Sequence, residues 1–360
     1  MTSQNTLLKP ILTIDGEEEF SLMSGKVNFP GNNAINTLTV EISDVEKEER
    51  SVLGRKVELY LNYDNNDGLP VFRGYITSYK PSGNKITLKA SDPRIYLTSH
   101  MSPAIALTDK DNYDGYTLAS FLYKYISEKI NEDEVRIGLD MLRDTNPAIP
   151  LNGERKDKIN PYDIIKKKLQ SHVNTDDGLD ASKKFSCIMI EGNDDSHISF
   201  VKRKSLEDNL PVFSYSLMDG IQDLSYTKRN PPNTAFIKGD NKDSATFKYG
   251  NRPRGIFNKD VSYDSSNVKM TGRAVLERAG MKSILADRDE TAEITLTVTK
   301  GIHIGLESIV SIESGHYSHK DKYIVGNHIV VGKNISFNNN SCKIQLKLNR
   351  PQPLVSDYFQ

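Results

Sequence analysis

The sequence predicts a mainly β protein with an α+β middle part: two similar small antiparallel β-barrels and an inserted helix and hairpin domain. Three observations carry this. Apolar residues alternate with period two from about residue 10 to 100 and again from Glu293 to Leu348. Between those stretches apolar residues recur at three and four positions, the spacing of a helix face. Finally, "NKITLKAS" at 84–91 is echoed by "CKIQLKLN" at 342–349.

In the first stretch, "ILTIDGEEEF", "KVNFPGN", "NTLTVEISD", "RKVELYLNY" and "GYITSYKPSGNKITLKAS" read as strands. Val57, Leu59 and Leu61 should point one way and Glu58, Tyr60 and Asn62 the other, so the strand buries one face. "NYDNNDGLP" and "KPSGNK" supply the Gly, Asn, Asp and Pro that hairpin turns need. After Pro103, Leu118, Phe121, Leu122, Tyr125, Ile126 and Ile130 predict a helix near 117–131, with Thr117 as its cap. "NPYDIIKKKLQSH" predicts a second, with Asn160 as N-cap, Pro161 at the first helical position and Ile164, Ile165 and Leu169 as the buried stripe. "KFSCIMIEGNDDSHISFVKRK" reads as a hairpin turning at Gly-Asn-Asp-Asp.

From 238 to 268 apolar residues are sparse, and the segment reads as a long loop or insertion. A short helix is expected over 274–285. Strict alternation then returns in "EITLTVT", "ESIVSIES", "KYIVGNHIVV" and "CKIQLKL".

The echo is read as duplication. Ser-Leu-Met-x-Gly occurs at 21–25 and at 216–220, early in each copy, and both copies place a Gly before a strand, in "LGRKVELYL" and "IGLESIVSI". An aromatic and β-branched strand follows in each, "GYITSY" and "KYIVGNHIVV". One small barrel is therefore expected at 1–100 and its second copy at 211–350, interrupted at about 238–290. The α+β insertion takes 101–210, and 351–360 is a C-terminal tail.

Composition bounds the function. Lys plus Arg number 47 against 48 Asp plus Glu, a formal charge of −1, so no global field favours nucleic acid or an anionic membrane. Cys187 and Cys342 lie in alternating runs away from any metal-ligand spacing and are expected to fill cores. The N-terminus has no basic region followed by an apolar run, and no apolar stretch is long enough to span a bilayer; folding in the cytoplasm is expected.

Each candidate for chemistry has the wrong context. "GNHIVVGKN" at 326–334 has the wrong spacing for a phosphate loop, places Asn334 where Ser or Thr should hold Mg²⁺, and lies in strand-like alternation. Asp109, Asp111 and Asp114 resemble a calcium loop but lack its Gly and its closing Glu, since Asp114 and Ser120 stand in those places. His316 and His319 are expected at a hairpin tip, where three-residue spacing does not converge two imidazoles on a metal. "KRKS" at 202–205, "EKEER" at 46–50 and "YGNRPRG" at 249–255 read as solvated charge. No catalytic, cofactor-binding or metal site is assigned, and no cofactor is expected.

"VFRGYITSYKPSGNKITLKASD", the middle segment "NPYDIIKKKLQSHVNTDDGLDASKKFSCIMIEGNDDSHISFVKRK" and the tail with "L-x-S-I-V-x-I", "K-Y-I-V" and "K-I-x-L-x-L" occur in the order found in tail hub proteins. The chain, from about residue 8 to 350, resembles the baseplate or tail hub family of contractile phage tails and related injection systems, the late control protein D-like hubs. It departs from that pattern in lacking Pro-Gly before "ESIVSI" and in its longer, polar 238–268 segment. The resemblance implies a non-enzymatic virion structural protein, assembled in host cytoplasm into a homotrimer. Its two barrels per chain would give a pseudo-sixfold ring joining a hexameric tail tube to a trimeric central spike, beside other baseplate proteins. Neither specific nucleic-acid binding nor membrane insertion is implied. The rival readings are a peptidoglycan- or carbohydrate-active enzyme, for which Asp194 and Asp195 are the candidate carboxylates, or a receptor-binding module. The second wants aromatic stacking platforms, and the chain has 17 Tyr but no Trp.

Overall fold

The computed structural model describes residues 10–16, 18–31, 33–43, 52–61, 69–98, 117–129, 136–143, 161–171, 187–191, 197–202, 210–216, 221–228, 234–238, 244–248, 258–262, 292–313 and 324–349. The first six strands are β1 (Pro10–Ile14), β2 (Glu18–Phe29), β3 (Thr37–Ser43), β4 (Lys56–Leu61), β5 (Phe72–Ser82) and β6 (Lys85–Ser91). Their alternation turns one side inward: Leu12, Ile14, Val27, Leu38, Val40, Val57, Leu59, Leu61, Ile76 and Leu88 are buried. Pairing runs β1–β4–β5–β6–β3–β2, and β1 also pairs with β2, so the ring returns to its start. Closure satisfies strand edges that would otherwise face water.

A 3-10 turn, Pro93–Leu97, leads to helices α1 (Leu118–Lys129), α2 (Asp140–Arg143) and α3 (Pro161–Ser171), then to the hairpin β7 (Cys187–Glu191) and β8 (Ile198–Lys202). Thr117 caps α1 as expected, its hydroxyl accepting the Ser120 N–H at 3.1 Å. Leu118, Phe121, Leu122, Ile164, Ile165 and Leu169 meet Met189, Ile198 and Phe200 in a second apolar cluster. Asn160 and residues 274–285 lie outside the described residues.

The remaining strands are β9 (Phe213–Ser216), β10 (Ile221–Lys228), β11 (Thr234–Lys238), β12 (Ser244–Lys248), β13 (Asn258–Ser262), β14 (Ala292–Val298), β15 (Ile309–Glu313), β16 (Gly326–Asn338) and β17 (Ser341–Asn349). The antiparallel order β10–β14–β17–β16–β15 repeats β2–β3–β6–β5–β4. The irregularities repeat too. An extra residue lies between Leu22 and Ser24 on β2 and between Ile221 and Asp223 on β10; another lies between Ile76 and Ser78 on β5 and between Val330 and Gly332 on β16. A bulge pins register, so matched bulges fix which residues correspond. Lys85, Ile86, Leu88 and Lys89 face β5 as Lys343, Ile344, Leu346 and Lys347 face β16, and the echo of "NKITLKAS" in "CKIQLKLN" is in register.

Three expectations need correction. The second set does not close: β9 lies parallel on the far side of β15, and no pairing joins it to β10 among the described residues, so the twelve-stranded sheet as a whole is not a closed barrel. The Ser-Leu-Met-x-Gly coincidence is out of register, because Leu22 corresponds to Ile221 and Leu217 lies outside the described residues. The 238–268 segment is more than a loop: β11 pairs with β12 and, in parallel, with β13. "SATFK" has only two alternating apolar residues, Ala245 and Phe247, and "NKDVS" only Val261, too short a pattern to mark a strand in so polar a segment.

The glycine before the second copy's strand is displaced as well. Gly54 (φ 79°) donates its N–H to the Ile76 carbonyl at 2.8 Å; at the matching turn Glu307 (φ 62°) bonds the Val330 carbonyl at the same distance. Gly305, which the sequence aligned with Gly54, lies two residues earlier.

Candidate assembly interface

The two strand sets are joined by a seam inside the chain. β2 pairs with β1 through its first half and with β16 through its second, Phe29 facing Lys333, Asn28 facing Asn334, Val27 facing Ile335 and Lys26 facing Ser336. Gly25 faces Phe337, and the ring lies where a Cβ on Gly25 would stand, a close approach that a larger residue would prevent. Lys333 is 6 % exposed. Its ammonium donates to the carbonyls of Ile302 at 3.0 Å and Ile304 at 2.6 Å and lies 4.7 Å from the centre of the Phe29 ring. These partners let a charge sit inside the seam.

The connection from β2 to β3, "PGNNAIN" at 30–36, is where three parts of the chain meet. Gly31 (φ 75°) lies against the carbonyl of Val331, the bulged residue of β16. Asn33 (φ 58°) accepts the Met189 N–H on its side-chain oxygen at 2.8 Å, and its backbone carbonyl accepts the Tyr162 hydroxyl. Asn36 donates its N–H to Asp92 at 2.6 Å. The Asp92 carboxylate caps the 3-10 turn by accepting the Arg94 N–H at 2.9 Å and forms a forked ion pair with the Arg94 guanidinium. Arg94 also donates to the Met189 carbonyl at 3.2 Å. Both side chains of the pair are essentially buried, at 0 % and 2 % exposure. This network fastens α3 and β7 to the first strand set.

Burial pushes the Tyr162 hydroxyl up to about 12, with the Asp92 and Asp163 charges adding to the rise and Arg94 opposing it. A phenol whose folded value is raised stabilises fully below its unfolded value near 10 and loses that contribution as pH climbs through the folded value. Stability should therefore fall between about pH 10 and 12. Replacing Tyr162 by Phe should flatten the part of the fall due to this residue, read by urea unfolding across that window. An unchanged slope would show that its hydroxyl ionises as freely folded as unfolded. On the first set's outer face, burial would raise the Glu58 carboxyl, but hydrogen bonds from Tyr60 and Lys56 and the charges of Lys56 and Arg73 outweigh it and hold it below the ordinary value. Tyr60 is itself pushed up to about 12, by burial first and then by Glu58.

Among the described residues, the sequence's candidates for chemistry do not join these groups. "GNHIVVGKN" forms the first part of β16. Within it His328 is buried and its Nε2 lies 2.6 Å from the Ile324 carbonyl, so the segment is a ladder strand with no bend to gather amides. Cys342 is a free thiol in the main core, as expected. Cys187 begins β7. Asp109, Asp111, Asp114, Asp194, Asp195, His316 and His319, with the runs 46–50, 203–205 and 249–255, lie outside the described residues. Among the described residues no three or more His, Cys, Asp and Glu side chains gather as a metal site, and no helix is long and apolar enough to cross a membrane. Sequence reading missed Gly31, Asn33, Asp92, Arg94 and Lys333. Asp-Pro-Arg at 92–94, a capping acid ahead of a proline, was the readable sign of one of them.

Exposed apolar side chains lie at matched ends of the two sets. Leu53, 56 % exposed, is in the turn before β4; Leu210 and Val212, 89 % and 53 % exposed, lead into β9, where the Val212 N–H meets the Ile309 carbonyl at the start of β15.

No family model matches the sequence, and no curated protein does. Solved structures do match in fold. A tail protein from Neisseria meningitidis MC58 is similar with a TM-score of 0.65 at 13% identity, over 95% of this chain and 96% of that one. The 43 kDa tail protein of prophage MuSo2 from Shewanella oneidensis gives 0.63 at 11% identity, over 95% and 97%. An E. coli component of the type VI secretion system, described as structurally similar to the T4 bacteriophage tail proteins gp27 and gp5, gives 0.55 at 10% identity, over 95% and 77%. The chain has the fold of these tail and secretion-system proteins along nearly its whole length.

Proposed function

We propose that this chain is a structural hub of a phage tail or related injection system, a non-enzymatic baseplate component that forms a homotrimeric, pseudo-sixfold ring between a hexameric tail tube and a trimeric central spike. The observation that carries the reading is the repeated strand order with matched bulges within one chain. Three chains, each offering two alike strand sets, give six similar faces to a sixfold partner. The α1–α3 and β7–β8 region has no second copy among the described elements, so a trimer offers only three such faces to a threefold partner. Exposed Leu53 on one set, and Leu210 and Val212 on the other, suit contact at equivalent places on a tube. We divide the chain accordingly into a first hub unit at 1–100, the α+β insertion at 101–210, a second hub unit at 211–350 interrupted at about 238–290, and a tail at 351–360.

The fold shared with tail and secretion-system proteins supports this assignment; on this reading the protein works in the virion tail or baseplate and is assembled in host cytoplasm. The decisive experiment is solution mass. A trimer of 40.5 kDa chains weighs about 120 kDa. A chain that stays monomeric at every concentration, alone and with its spike, sinks the reading; cell-wall hydrolysis by the purified chain would replace it with an enzymatic one.

A further inference from the structure

Strand pairing gathers lysines on the side of the long sheet that faces away from the core. Through β6, β3, β2, β16 and β17 the ladder partners form rows. One row, Ala90, Leu38, Val27, Ile335 and Ile344, is buried in the main core. The next, Lys89, Thr39, Lys26, Ser336 and Lys343, points the opposite way. Its three lysines stand on every second strand, roughly 10 Å apart at the usual strand spacing. All three are exposed, as are Lys80, Lys85 and Lys347 on the same side. Lys26 belongs to the first strand set and faces Ser336 of the second, so the row is complete only when the sets are joined.

Among the described residues, one carboxylate is paired into this face. It is Glu41, which accepts from the Ser24 hydroxyl at 3.3 Å and lies 4.0 Å from the Lys85 ammonium. In a chain whose formal charge is −1, six lysines against one glutamate make a concentrated positive surface. The outward ladder positions between the lysines hold Ser, Thr, Asn and Gln, with Gly332 beside Lys347 and no aromatic ring.

We propose that this face binds double-stranded nucleic acid along its phosphate backbone, without reading sequence. Protein docking surfaces are enriched in aromatic residues, Met and Arg and poor in Lys and Ser, the reverse of what stands here. Lysine with hydroxyl and amide side chains is the set that meets phosphate oxygens, and surfaces for nucleic acid are the more polar and more positive kind. A single strand would want aromatic platforms for its bases, and the face has none. Six paired strands span about 24 Å, too broad for a major groove about 12 Å wide, so contact stays on the backbone. One chain carries the whole face, and the inference does not rest on the ring.

The test is fluorescence anisotropy of a labelled DNA duplex of about 24 base pairs titrated with the full chain. The duplex should bind at about 50 mM salt and weaken roughly a hundredfold at about 200 mM, the counterion release expected of about four engaged lysines. Lys26→Gln, Lys89→Gln and Lys343→Gln together should weaken binding at least about tenfold at the lower salt and cut the salt slope by more than half. These side chains are exposed, so the unfolding midpoint should not move. Lys56→Gln, Lys166→Gln and Lys300→Gln together remove the same charge from other elements and should change binding by less than about twofold. An equal loss in both variants overturns the proposal, because attraction would then follow net charge and not this face. No duplex binding at the lower salt overturns it too, as does tighter binding of a single strand of the same length. Tighter binding of poly-L-glutamate than of the duplex would assign the face to an acidic protein instead.

Discussion

Gly31→Ala should be among the most damaging single-atom additions to this chain, costing roughly 3–5 kcal/mol and separating the two strand sets before either unfolds alone. Two effects add. The φ of 75° is a conformation that an L side chain enters at a cost of about 1–2 kcal/mol. Besides this, a Cβ at Gly31 would overlap the Val331 carbonyl oxygen and lie 2.9 Å from its carbonyl carbon, and both atoms are backbone at a bulge, so no rotamer change relieves them. The chain must instead lift residues 30–36 away from β16, loosening Phe29 from Lys333 at one end and Asn33 from Met189 at the other. Gly54→Ala is the control, since its φ is 79° but nothing lies within 4 Å of an added Cβ. Urea unfolding of both variants separates the effects: a Gly31→Ala loss no greater than that of Gly54→Ala would mean that Val331 yields and that the contact is not what joins the sets.

What was legible in the sequence was local. Val57, Leu59 and Leu61 alternate because β4 has one buried face, and Ile164, Ile165 and Leu169 are spaced for one side of α3; both patterns recur in the structure. The matching of 84–91 with 342–349 was also legible, because each segment packs the same face against an equivalent hairpin partner. Partner choice between distant strands was not. Nothing within residues 10–29 distinguishes a β1 that closes a ring, antiparallel to β4, from a β9 that lies parallel to β15 and leaves its ring open. In the first set the tight turn at Asp15 and Gly16 folds β1 back along β2, whereas in the second β9 follows β8 and pairs with β15. The interface residues were hidden for a related reason. A lysine at 333 or an arginine at 94 reads as solvated charge until carbonyls 29 to 95 residues away close around it. Resemblance to known hubs supplied the order of parts, and residue-level pairing came from the ladders.

Asp92→Ala should cost about 3–5 kcal/mol, because it strands a guanidinium that has no route to water. Arg94 is 2 % exposed at its side chain and is held by the Asp92 carboxylate and the Met189 carbonyl. With the carboxylate gone, the neutral Met189 carbonyl supplies no counter-charge for the buried guanidinium, so the 3-10 turn must open or β7 must move off it. The alanine also leaves the Asn36 N–H, now bonded at 2.6 Å, without its acceptor. Charge can be separated from packing by the double change Asp92→Ala with Arg94→Met, which removes both ions and keeps an apolar stem of similar length. The double variant should recover more than half of the loss and retain a deficit of about 1–2 kcal/mol for the missing cap and the Asn36 bond. Equilibrium unfolding followed at Tyr162, which bonds the same loop at Asn33, would report whether α3 and β7 release from the first strand set ahead of the global transition. If Asp92→Ala loses less than about 1 kcal/mol, solvent reaches Arg94 in solution and the pair does not fasten the inserted region. If the double variant is no better than the single one, the carboxylate matters as a cap and not as a counter-ion, and among the described contacts those of Asn33 with Met189 and Tyr162 would then hold α3 and β7 to the first strand set.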